Sequence, residues 1–274
     1  MNEQKLTPLE NELLCEHFSG KDLENAVKRY KSGEPLAYII GEWYFYGLTF
    51  KLNRECLIPR PDTEHIVEKA IDLTPNEGCA ADLCTGSGCI AVSLVKNRPD
   101  IRALAVDISA SALECASINA EKNGIRPLRA LPSSGRFLPD EPGMIAFMEA
   151  DIFALTLPQN SFDVIISNPP YIKSEVLKNL PAARYEPTAA LDGGKDGMRF
   201  YRHILQSFRS ALKRNGRFIF EIGYDQAEDM RVAAHENGFE CEIFRDYGGN
   251  DRVALLHPDI QTGRHAETRK VYAR

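Results

Sequence analysis

The tetrapeptide Asn168-Pro169-Pro170-Tyr171 brings hydrogen-bond acceptors and an aromatic ring together at one stiff point of the chain. Each proline lacks an N–H donor and holds φ at about −65°, and the residue before a proline is restricted to extended backbone. The Asn168 amide oxygen and the Pro169 carbonyl are therefore fixed acceptors beside the ring of Tyr171. Such a corner suits a planar NH2 group, which has two N–H donors and a π face. A strand-ending turn with a packed tyrosine is the structural alternative.

The residues before this corner indicate where it lies in the fold. They contain the unbroken β-branched run Val164-Ile165-Ile166, which is typical of a strand buried on both faces of a parallel sheet. Open α/β sheets bind their ligands at the carboxyl ends of such strands. The predicted catalytic residues are Asn168, Pro169 and Tyr171, and the predicted substrate contacts are these three with Pro170.

A glycine loop upstream provides a second candidate site. The run Ala80-Ala81-Asp82-Leu83 predicts a short strand, and Cys84-Thr85-Gly86-Ser87-Gly88 separates it from a helix that begins at Cys89. Glycines let the backbone approach a ligand closely, and a helix N-terminus attracts electron-rich groups. We expect this loop to bind a nucleoside ligand through Asp82, Cys84, Thr85, Gly86, Ser87 and Gly88.

Acidic residues end the next two predicted strands. Asp107 stands 21 residues after Gly86, the spacing at which an acid reaches a ribose hydroxyl pair in dinucleotide folds. Asp151 and Ile152 follow a third predicted strand at 145–150, where an acid and an apolar side chain are suited to hold an adenine ring and its amino group. A helix-capping aspartate is the alternative for Asp151.

The loop alone leaves two nucleoside cofactors open. Gly86, Gly88 and Ala91 follow the dinucleotide fingerprint, in which alanine is tolerated at the third small position, so a nicotinamide cofactor is possible. S-adenosylmethionine fits equally well because it also offers a ribose to Asp107. The proline corner decides between them, since it is shaped for a methyl-accepting NH2 group and not for a hydride donor. We therefore predict S-adenosylmethionine, with Asn168 adjoining it.

Composition and charge disfavour several other classes of protein. The 274 residues are 43% hydrophobic and 26% charged, which is ordinary for a globular protein, and the formal net charge of −6 disfavours direct nucleic-acid binding. No apolar run approaches the roughly 18 residues of a spanning helix. We expect a cytoplasmic protein without membrane contact. The seven cysteines neither form Cys-x-x-Cys pairs nor precede histidines at metal spacing, so we expect no metal site.

The order of the predicted elements indicates an α/β fold. Strands and helices alternate from residue 79, and two final strands predict an antiparallel hairpin, so we expect a doubly wound, seven-stranded, mostly parallel sheet. Residues 125–143 contain four prolines and predict a loop. We divide the chain into a helical N-terminal segment for partner recognition (1–33), a β-hairpin connector (34–60), a catalytic domain (61–258) and a polar tail (259–274).

Several further side chains have two interpretations each. Arg60 is pinned between two prolines, which either aims its side chain or leaves a solvated arginine in a stiff linker. Asp62 or Thr63 predicts a helix cap. Glu221 lies inside an apolar run, where a carboxylate needs a partner, so it is either in a structural ion pair or in a site. The aromatic row at 43–46 is either packing or a platform for a substrate segment.

Taken in order, the motifs resemble those of class I S-adenosylmethionine-dependent methyltransferases that act on amino or amide nitrogens. The closer resemblance is to the release-factor glutamine N5-methyltransferases, and it extends over roughly residues 33–257. The segments that carry it are Gly33-Glu34-Pro35, Tyr38-Ile39-Ile40-Gly41, Leu57-Ile58-Pro59-Arg60-Pro61-Asp62-Thr63-Glu64, Asp82-Leu83-Cys84-Thr85-Gly86-Ser87-Gly88, Ser167-Asn168-Pro169-Pro170-Tyr171, Tyr185-Glu186-Pro187, Glu221-Ile222-Gly223 and Asp246-Tyr247-Gly248.

The resemblance implies methyl transfer to the side-chain amide nitrogen of a glutamine in a Gly-Gly-Gln loop of a peptide chain release factor. It adds Arg60 and Glu186 to the substrate contacts. Three features depart from the family pattern: the N-terminal helical region is shorter, the loop at 125–143 looks inserted, and Cys84 stands where the family's loop usually begins with glycine.

Other functions use the same corner. A ribosomal-protein glutamine methyltransferase shares the Asn-Pro-Pro-Tyr motif, but typically has Pro-Arg-Ser-Pro where this chain has Pro59-Arg60-Pro61-Asp62. An adenine N6 or guanine N2 methyltransferase also acts on a planar NH2 group, but it needs a basic channel or a target-recognition domain. A catalytically idle S-adenosylmethionine-binding protein is the third alternative.

Overall fold

The computed structural model describes residues 5–130 and 135–259. Its strands are β1 (Glu42–Phe45), β2 (Leu48–Lys51), β3 (Cys79–Leu83), β4 (Arg102–Asp107), β5 (Arg126–Arg129), β6 (Met144–Glu149), β7 (Phe162–Ser167), β8 (Leu212–Glu221), β9 (Phe239–Arg245) and β10 (Asp251–Pro258). Its helices are α1 (Pro8–His17), α2 (Gly20–Lys31), α3 (Leu36–Ile40), α4 (Glu64–Leu73), α5 (Cys89–Asn97), α6 (Ala110–Lys122), α7 (Ser174–Leu177), α8 (Arg199–Phe208) and α9 (Ala227–Glu236). A 3-10 turn at Pro61–Thr63 precedes α4.

One large sheet has the strand order β5-β6-β4-β3-β7-β8-β10-β9. Neighbours from β5 to β8 pair in parallel, whereas β10 pairs antiparallel with both β8 and β9. Strands β4, β6 and β5 lie on one side of β3, and β7, which follows them in the chain, lies on the other side. The strand order therefore reverses between β3 and β7, which is where open α/β sheets bind ligands. The predicted doubly wound, mostly parallel fold is confirmed.

Helices cover both faces of this sheet. One apolar cluster packs α8 and α9 on the first face, where Tyr201 and Phe208 are fully buried. A second cluster packs α4, α5 and α6 on the opposite face, where Ile66 and Val92 are fully buried. Because both faces are covered, a central strand has no solvent side, and this explains the unbroken apolar run of β7.

The sheet has eight strands where seven are expected, because part of the proline-rich segment 125–143 is a strand. β5 lies at the sheet edge and pairs in parallel with β6, with Pro127 opposite Ile145. A proline is tolerated at a sheet edge, where its missing N–H need not interrupt a ladder between two strands. Residues 131–134 of the predicted loop lie outside the described residues.

The region before α4 contains the expected helices and hairpin, with one difference. The helix α1 begins after the N-cap Thr7, α2 follows it, and β1 pairs with β2 as an antiparallel hairpin. Leu36–Ile40, expected in the hairpin, forms α3 instead. Burial of Ile39 against Leu14 of α1 outweighs the β propensity of this segment, since propensity is weak against packing.

The tail, membrane-spanning helices, metal clusters and cysteines can be compared with the sequence predictions only within the described residues. Of the tail predicted at 259–274, residues 260–274 lie outside the described residues. Across residues 5–130 and 135–259, no helix combines the length and apolar character needed to cross a bilayer, and no cluster of three or more His, Cys, Asp or Glu side chains is arranged to hold a metal ion. The seven cysteines are free thiols.

Gly86 and Gly88 give a matched test of the loop between β3 and α5. Both have positive φ, +55° and +79°, where alanine costs about 1–2 kcal/mol. A Cβ on Gly86 would meet no atom within 4 Å, whereas one on Gly88 would lie 2.9 Å from the Ala116 Cβ of α6. We expect Gly88→Ala to lower the free energy of unfolding by about 1–3 kcal/mol more than Gly86→Ala, because overpacking adds to backbone strain. Urea unfolding measures both, and equal losses would contradict this packing.

Candidate active site

The loop that joins β3 to α5 turns sharply at the carboxyl edge of the sheet. Cys84, Gly86 and Gly88 have positive φ, at +63°, +55° and +79°. Glycine adopts this conformation at little cost, which accounts for the two glycines, and Cys84 adopts it despite its side chain. Gly88 packs against α6 while Gly86 faces open space, so the loop is supported behind and open in front.

Asp107 ends β4 and holds this loop in place. Its Oδ2 accepts a hydrogen bond from Gly86 N at 2.8 Å, and its Oδ1 accepts one from Ser109 N at 3.0 Å. Burial raises the pKa of this carboxyl, and the N–H donors of Ser109 and Gly86 oppose that shift because they stabilise the anion. The spacing between Gly86 and Asp107 therefore corresponds to a direct contact.

A cavity of about 400 Å³ opens beside the loop, where β3, β4, β6 and β7 end. Its volume falls within the range of small-molecule sites, about 300–1,000 Å³. Gly86 and Ser87 line this cavity, as do Asp107 and Asp151. Asn168 lines it too, so the glycine loop and the proline corner face one shared space.

The Asn168 carboxamide is held on one side and open on the other. Its Nδ2 donates a hydrogen bond to Thr63 Oγ1 at 3.2 Å. Within the described part of the chain its Oδ1 accepts no hydrogen bond, and the residue is partly exposed to the cavity. An acceptor for N–H groups is thus available where the corner meets the cavity.

A buried carboxylate lies behind Asn168. Glu221 Oε2 accepts a hydrogen bond from Thr63 Oγ1 at 2.5 Å, and Glu221 Oε1 accepts one from Tyr171 Oη at 3.2 Å. Glu221 is 1% exposed and Thr63 is 2% exposed. Burial raises the pKa of Glu221, while Thr63, the charge of Arg252 and Tyr171 oppose the shift. Of the two interpretations of Glu221, its contact with the partner of Asn168 favours a place in the site.

Comparison with known proteins relates this architecture to methyltransferases. Residues 64–184 match the family model described as Methyltransferase small domain. The fold is similar to a methyltransferase from Pyrococcus furiosus, with a TM-score of 0.53, 16% identity, and 88% of this chain and 99% of that chain covered. It is also similar to a ribosomal protein L11 methylase from Lactobacillus delbrueckii subsp. bulgaricus, with a TM-score of 0.51, 22% identity, and 74% and 81% covered. At these identities the likeness shows the fold alone.

Relatives in sequence define the family more narrowly. A release factor glutamine methyltransferase from Thermodesulfovibrio yellowstonii is 36% identical over 241 residues, which are 85% of this chain and 80% of that protein. One from Geobacter sulfurreducens is 39% identical over 230 residues, 83% of this chain and 74% of that protein. The chain belongs to the release factor glutamine methyltransferase family.

Membership of the release factor glutamine methyltransferase family confirms the predicted enzyme class and the predicted cofactor, S-adenosylmethionine. The cavity residues fit such a group. The Asp107 carboxylate is at the β4 end for a ribose, and the space in front of Gly86 would be filled by a side chain at that position. The Ser87 hydroxyl is buried beside the cavity and has no hydrogen-bond partner among the described residues.

The structure brings most of the predicted site residues of this family member to the cavity. Those that line it are Arg60, Cys84, Thr85, Gly86, Ser87, Asp107, Asp151, Ile152, Asn168 and Pro170. Those that do not line it are Asp82, Gly88, Pro169, Tyr171 and Glu186. Tyr171 is among the latter, and its hydroxyl donates a hydrogen bond to Glu221; burial beside that carboxylate raises the pKa of the phenol.

Asp82 lies beneath the loop and supports it. Its Oδ2 accepts hydrogen bonds from Thr85 Oγ1 at 2.5 Å and from Ala91 N at 3.2 Å. Its Oδ1 is buried without a partner among the described residues. Burial raises the pKa of Asp82 to about 7, and the bonds from Thr85 and Ala91 oppose that shift. In the structure Asp82 therefore contacts the loop and the start of α5 and does not reach the cavity wall.

Arg60 reaches the cavity, and Glu186 holds it there. Arg60 Nη2 forms an ion pair with Glu186 Oε1, and Glu186 Oε2 accepts a hydrogen bond from Ile58 N at 3.4 Å. The Glu186 side chain is only 3% exposed. This pair connects the segment between β7 and α8 to the linker before α4.

The sequence does not predict the positions of two residues of the site, Thr63 and Arg199. Thr63 was expected to cap a helix, but its side chain makes no cap bond and turns to Glu221. Arg199 lines the cavity with its guanidinium 4.4 Å from the ring centroid of Phe153, a cation–π contact. A helical arginine of this kind is indistinguishable in sequence from a solvated one. Asp62, the other candidate cap, lies 3.4 Å from Arg252.

The buried Asp82 predicts a pH dependence of stability. Its pKa rises from an ordinary 3.8 to about 7 on folding, so the folded protein binds this proton more tightly than the unfolded chain does. Stability therefore falls as pH rises above about 3.8 and levels off above the folded pKa of about 7, so that the loss between about pH 5.5 and about pH 8.5 is about 2 kcal/mol. Asp82→Asn lacks this titration, so the free energy of unfolding of the variant should gain that amount relative to wild type over the same range. Urea unfolding at both pH values measures the difference.

Asp100 provides the control for this measurement. The Arg98 guanidinium holds the pKa of Asp100 well below its usual range, so Asp100 is ionised in both folded and unfolded chains above about pH 5. Asp100→Asn should therefore change stability by the same amount at both pH values. If the Asp82→Asn difference is equally independent of pH, the Asp82 carboxyl does not titrate as its burial requires.

Proposed function

We propose that this chain transfers a methyl group from S-adenosylmethionine to the side-chain amide nitrogen of a glutamine in a peptide chain release factor. The relatives at 36% and 39% identity are named for that reaction. The observation that supports it best is that Asn168 Oδ1 accepts no hydrogen bond from the described residues, while Asn168 lines the same cavity as the glycine loop. A primary amide has N–H donors for that oxygen, whereas an ionised carboxylate has none.

The cofactor would be held by residues at the ends of three strands. We propose that Asp107 and the Gly86 backbone face its ribose, and that Asp151 and Ile152 face its adenine. When bound, S-adenosylmethionine supplies an electrophilic methyl group on a sulfonium. Asn168 is on the wall of the same cavity, which supports a role for it where the acceptor meets that group.

A carboxamide nitrogen is a weak nucleophile because its lone pair is delocalised into the carbonyl, so positioning has to compensate. Asn168 Oδ1, on the cavity wall, accepts one N–H bond and aims the nitrogen at the methyl donor; Pro169 does not line the cavity, so its carbonyl accepts the second N–H bond only from an acceptor that reaches past the wall. These bonds strengthen as positive charge develops on nitrogen, which stabilises the transition state. Fixed orientation supplies most of the remaining rate, and the proton leaves after transfer.

Recognition of the release factor is proposed to involve the N-terminal helices as well as the corner. They pack on α3 through a small apolar cluster that includes Leu14, while Leu9 on the outer side of α1 is 65% exposed. Tyr185, next to Glu186, donates a hydrogen bond to the Ser32 carbonyl at 2.9 Å. The helical region and the segment that holds Arg60 are thereby in contact, and a protein substrate at the cavity would be close to both.

Cofactor affinity tests the role of Asp107. We expect Asp107→Asn to weaken S-adenosylmethionine binding by about 10- to 100-fold, the usual value of a hydrogen bond to a charged group. Glu149 is the matched control, because it lies opposite Asp107 on β6 and is exposed outside the cavity. Titration calorimetry of Glu149→Gln should give the wild-type affinity. Wild-type affinity for Asp107→Asn would reject its assignment to the ribose.

Methylation of a co-expressed release factor tests the reaction itself. Mass spectrometry of the purified release factor should find one added methyl group, on the glutamine of its Gly-Gly-Gln loop. Asn168→Ala should lower kcat/KM by about 100- to 1,000-fold, the typical loss for one donor or acceptor aimed at the transition state. Asn179→Ala, an exposed asparagine of the segment after the corner, should leave the rate unchanged.

Two outcomes would overturn this proposal. An Asn168→Ala rate within about tenfold of wild type would remove Asn168 from the transition state. Methylation of a ribosomal protein or of DNA, with no methylation of the release factor, would show that the release factor is not the substrate.

A further inference from the structure

A carboxamide has two orientations of nearly identical shape, and only one of them serves the proposed reaction. With the oxygen toward the cavity, Asn168 accepts hydrogen bonds from an NH2 group. With its own NH2 toward the cavity, it presents donors to donors and repels the same group. Packing distinguishes poorly between the two, so the hydrogen bonds around Asn168 must decide the orientation.

Thr63 determines the orientation of the Asn168 amide because its hydroxyl has a single proton to donate. Its hydroxyl lies 2.5 Å from Glu221 Oε2, the length of a hydrogen bond from a hydroxyl to a carboxylate. Thr63 therefore donates its hydroxyl proton to Glu221. Only lone pairs of Thr63 Oγ1 remain to interact with Asn168, whose Nδ2 is 3.2 Å away. The group of Asn168 that faces Thr63 must then be the NH2 donor, and the oxygen is directed to the cavity.

Hydroxyl donors face the other oxygens of Glu221, which favours its accepting, ionised form. Its second oxygen accepts from Tyr171 Oη at 3.2 Å, and its backbone carbonyl accepts from Tyr201 Oη at 2.7 Å. Burial raises the pKa of Glu221, whereas the hydrogen bonds from Thr63 and Tyr171 and the positive charge of Arg252 on the neighbouring β10 oppose that shift and favour the ionised carboxylate. A carboxylate in a buried central strand is costly compared with an apolar residue, so its presence requires a reason beyond packing.

The geometry points to Glu221 and Thr63 as positioning residues that set the orientation of the Asn168 amide. The ionised Glu221 fixes the proton of Thr63, Thr63 fixes the NH2 group of Asn168, and the Asn168 oxygen is left to select an acceptor that carries N–H bonds. This relay makes the site specific for an amide over a carboxylate. The nature of the acceptor rests on the proposed function, whereas the orientation of Asn168 does not.

Thr63→Val tests the relay, since valine keeps the shape of threonine and removes the hydroxyl. Loss of one hydrogen bond that anchors Asn168 should lower kcat/KM for the release factor by about tenfold, with S-adenosylmethionine affinity within about twofold of wild type. Thr63→Ser retains the hydroxyl and should restore most of the rate. Thr63→Val within about twofold of wild type would overturn the relay.

A double-mutant cycle separates positioning from a general effect on structure. If Thr63 acts through Asn168, Thr63→Val should lower the rate about tenfold with Asn168 present and by less than about twofold in the Asn168→Ala background. Equal losses in the two backgrounds would assign Thr63 a structural role and overturn the inference. Single-turnover methylation with excess enzyme, followed by mass spectrometry, measures the slow variants.

Glu221→Gln is the second variant, for use if Thr63→Val does not fold. Glutamine keeps the volume but brings an N–H donor. Tyr171 Oη donates to Glu221 Oε1 and should keep the glutamine oxygen on its side, so the new donor faces Thr63 and the hydroxyl proton becomes free to bond Asn168. The amide then turns its NH2 group to the cavity, so the rate should fall while cofactor affinity is retained. A folded Glu221→Gln with the wild-type rate would overturn the relay.

An NMR measurement tests the orientation independently of any substrate. In protein labelled with ¹⁵N-asparagine, the side-chain NH2 signal of Asn168 is the one missing from Asn168→Ala. That signal should shift in Thr63→Val and return close to its wild-type position in Thr63→Ser. An unchanged signal in Thr63→Val would overturn the relay. A wild-type protein that leaves the release factor unmethylated but passes this test would overturn the proposed substrate alone.

Discussion

Parallel pairing of β3 with β7 sets the two halves of the site next to each other. Leu83 is in register with Ser167, and the Ser167 hydroxyl donates a hydrogen bond to the Leu83 carbonyl at 2.6 Å. The residues that follow are therefore neighbours, and Cys84 enters the glycine loop while Asn168 enters the proline corner. Because the strand order reverses between these two strands, the connections leave in opposite directions and a crevice remains above them. Cofactor and acceptor positions share one cavity as a consequence of topology.

At this edge of the sheet, carboxyl groups accept hydrogen bonds from N–H and O–H groups and thereby hold the glycine loop and the proline corner in position. Asp107 holds the glycine loop, Asp82 holds the hydroxyl of Thr85, and Glu221 holds that of Thr63. Burial raises the pKa of all three carboxyls, and the hydrogen bonds to each anion oppose the shift. Hydrogen bonds to a charged acceptor are short and strong, so these contacts restrict both the loop and the corner. The site owes its rigidity to carboxyl acceptors that lie mostly behind the cavity wall.

Local sequence patterns predict the parts of the site that follow strands. The β-branched run before Asn168 and the acid that ends β4 are enough to bring both residues to one sheet edge, because the carboxyl ends of parallel strands meet there. They do not predict the role of Thr63, since a threonine before a helix is a common N-cap and its partner Glu221 is 158 residues away. The pairing of Arg60 with Glu186 spans 126 residues. Local propensity contains no information about such contacts, which depend on how the segments pack.

The linker before α4 belongs to the site as much as the sheet does. Ile58 and Arg60 bind Glu186, and Thr63 binds Glu221, so one short stretch contacts both the segment after β7 and the end of β8. The predicted domain boundary after residue 60 separates Arg60 from Thr63, although both residues line the same cavity. Displacement of the linker would remove both donors that bind the buried Glu186 and one of the two that bind the buried Glu221, which is costly. The acceptor corner is therefore organised before any substrate arrives, and preorganised dipoles need no rearrangement at the moment of reaction.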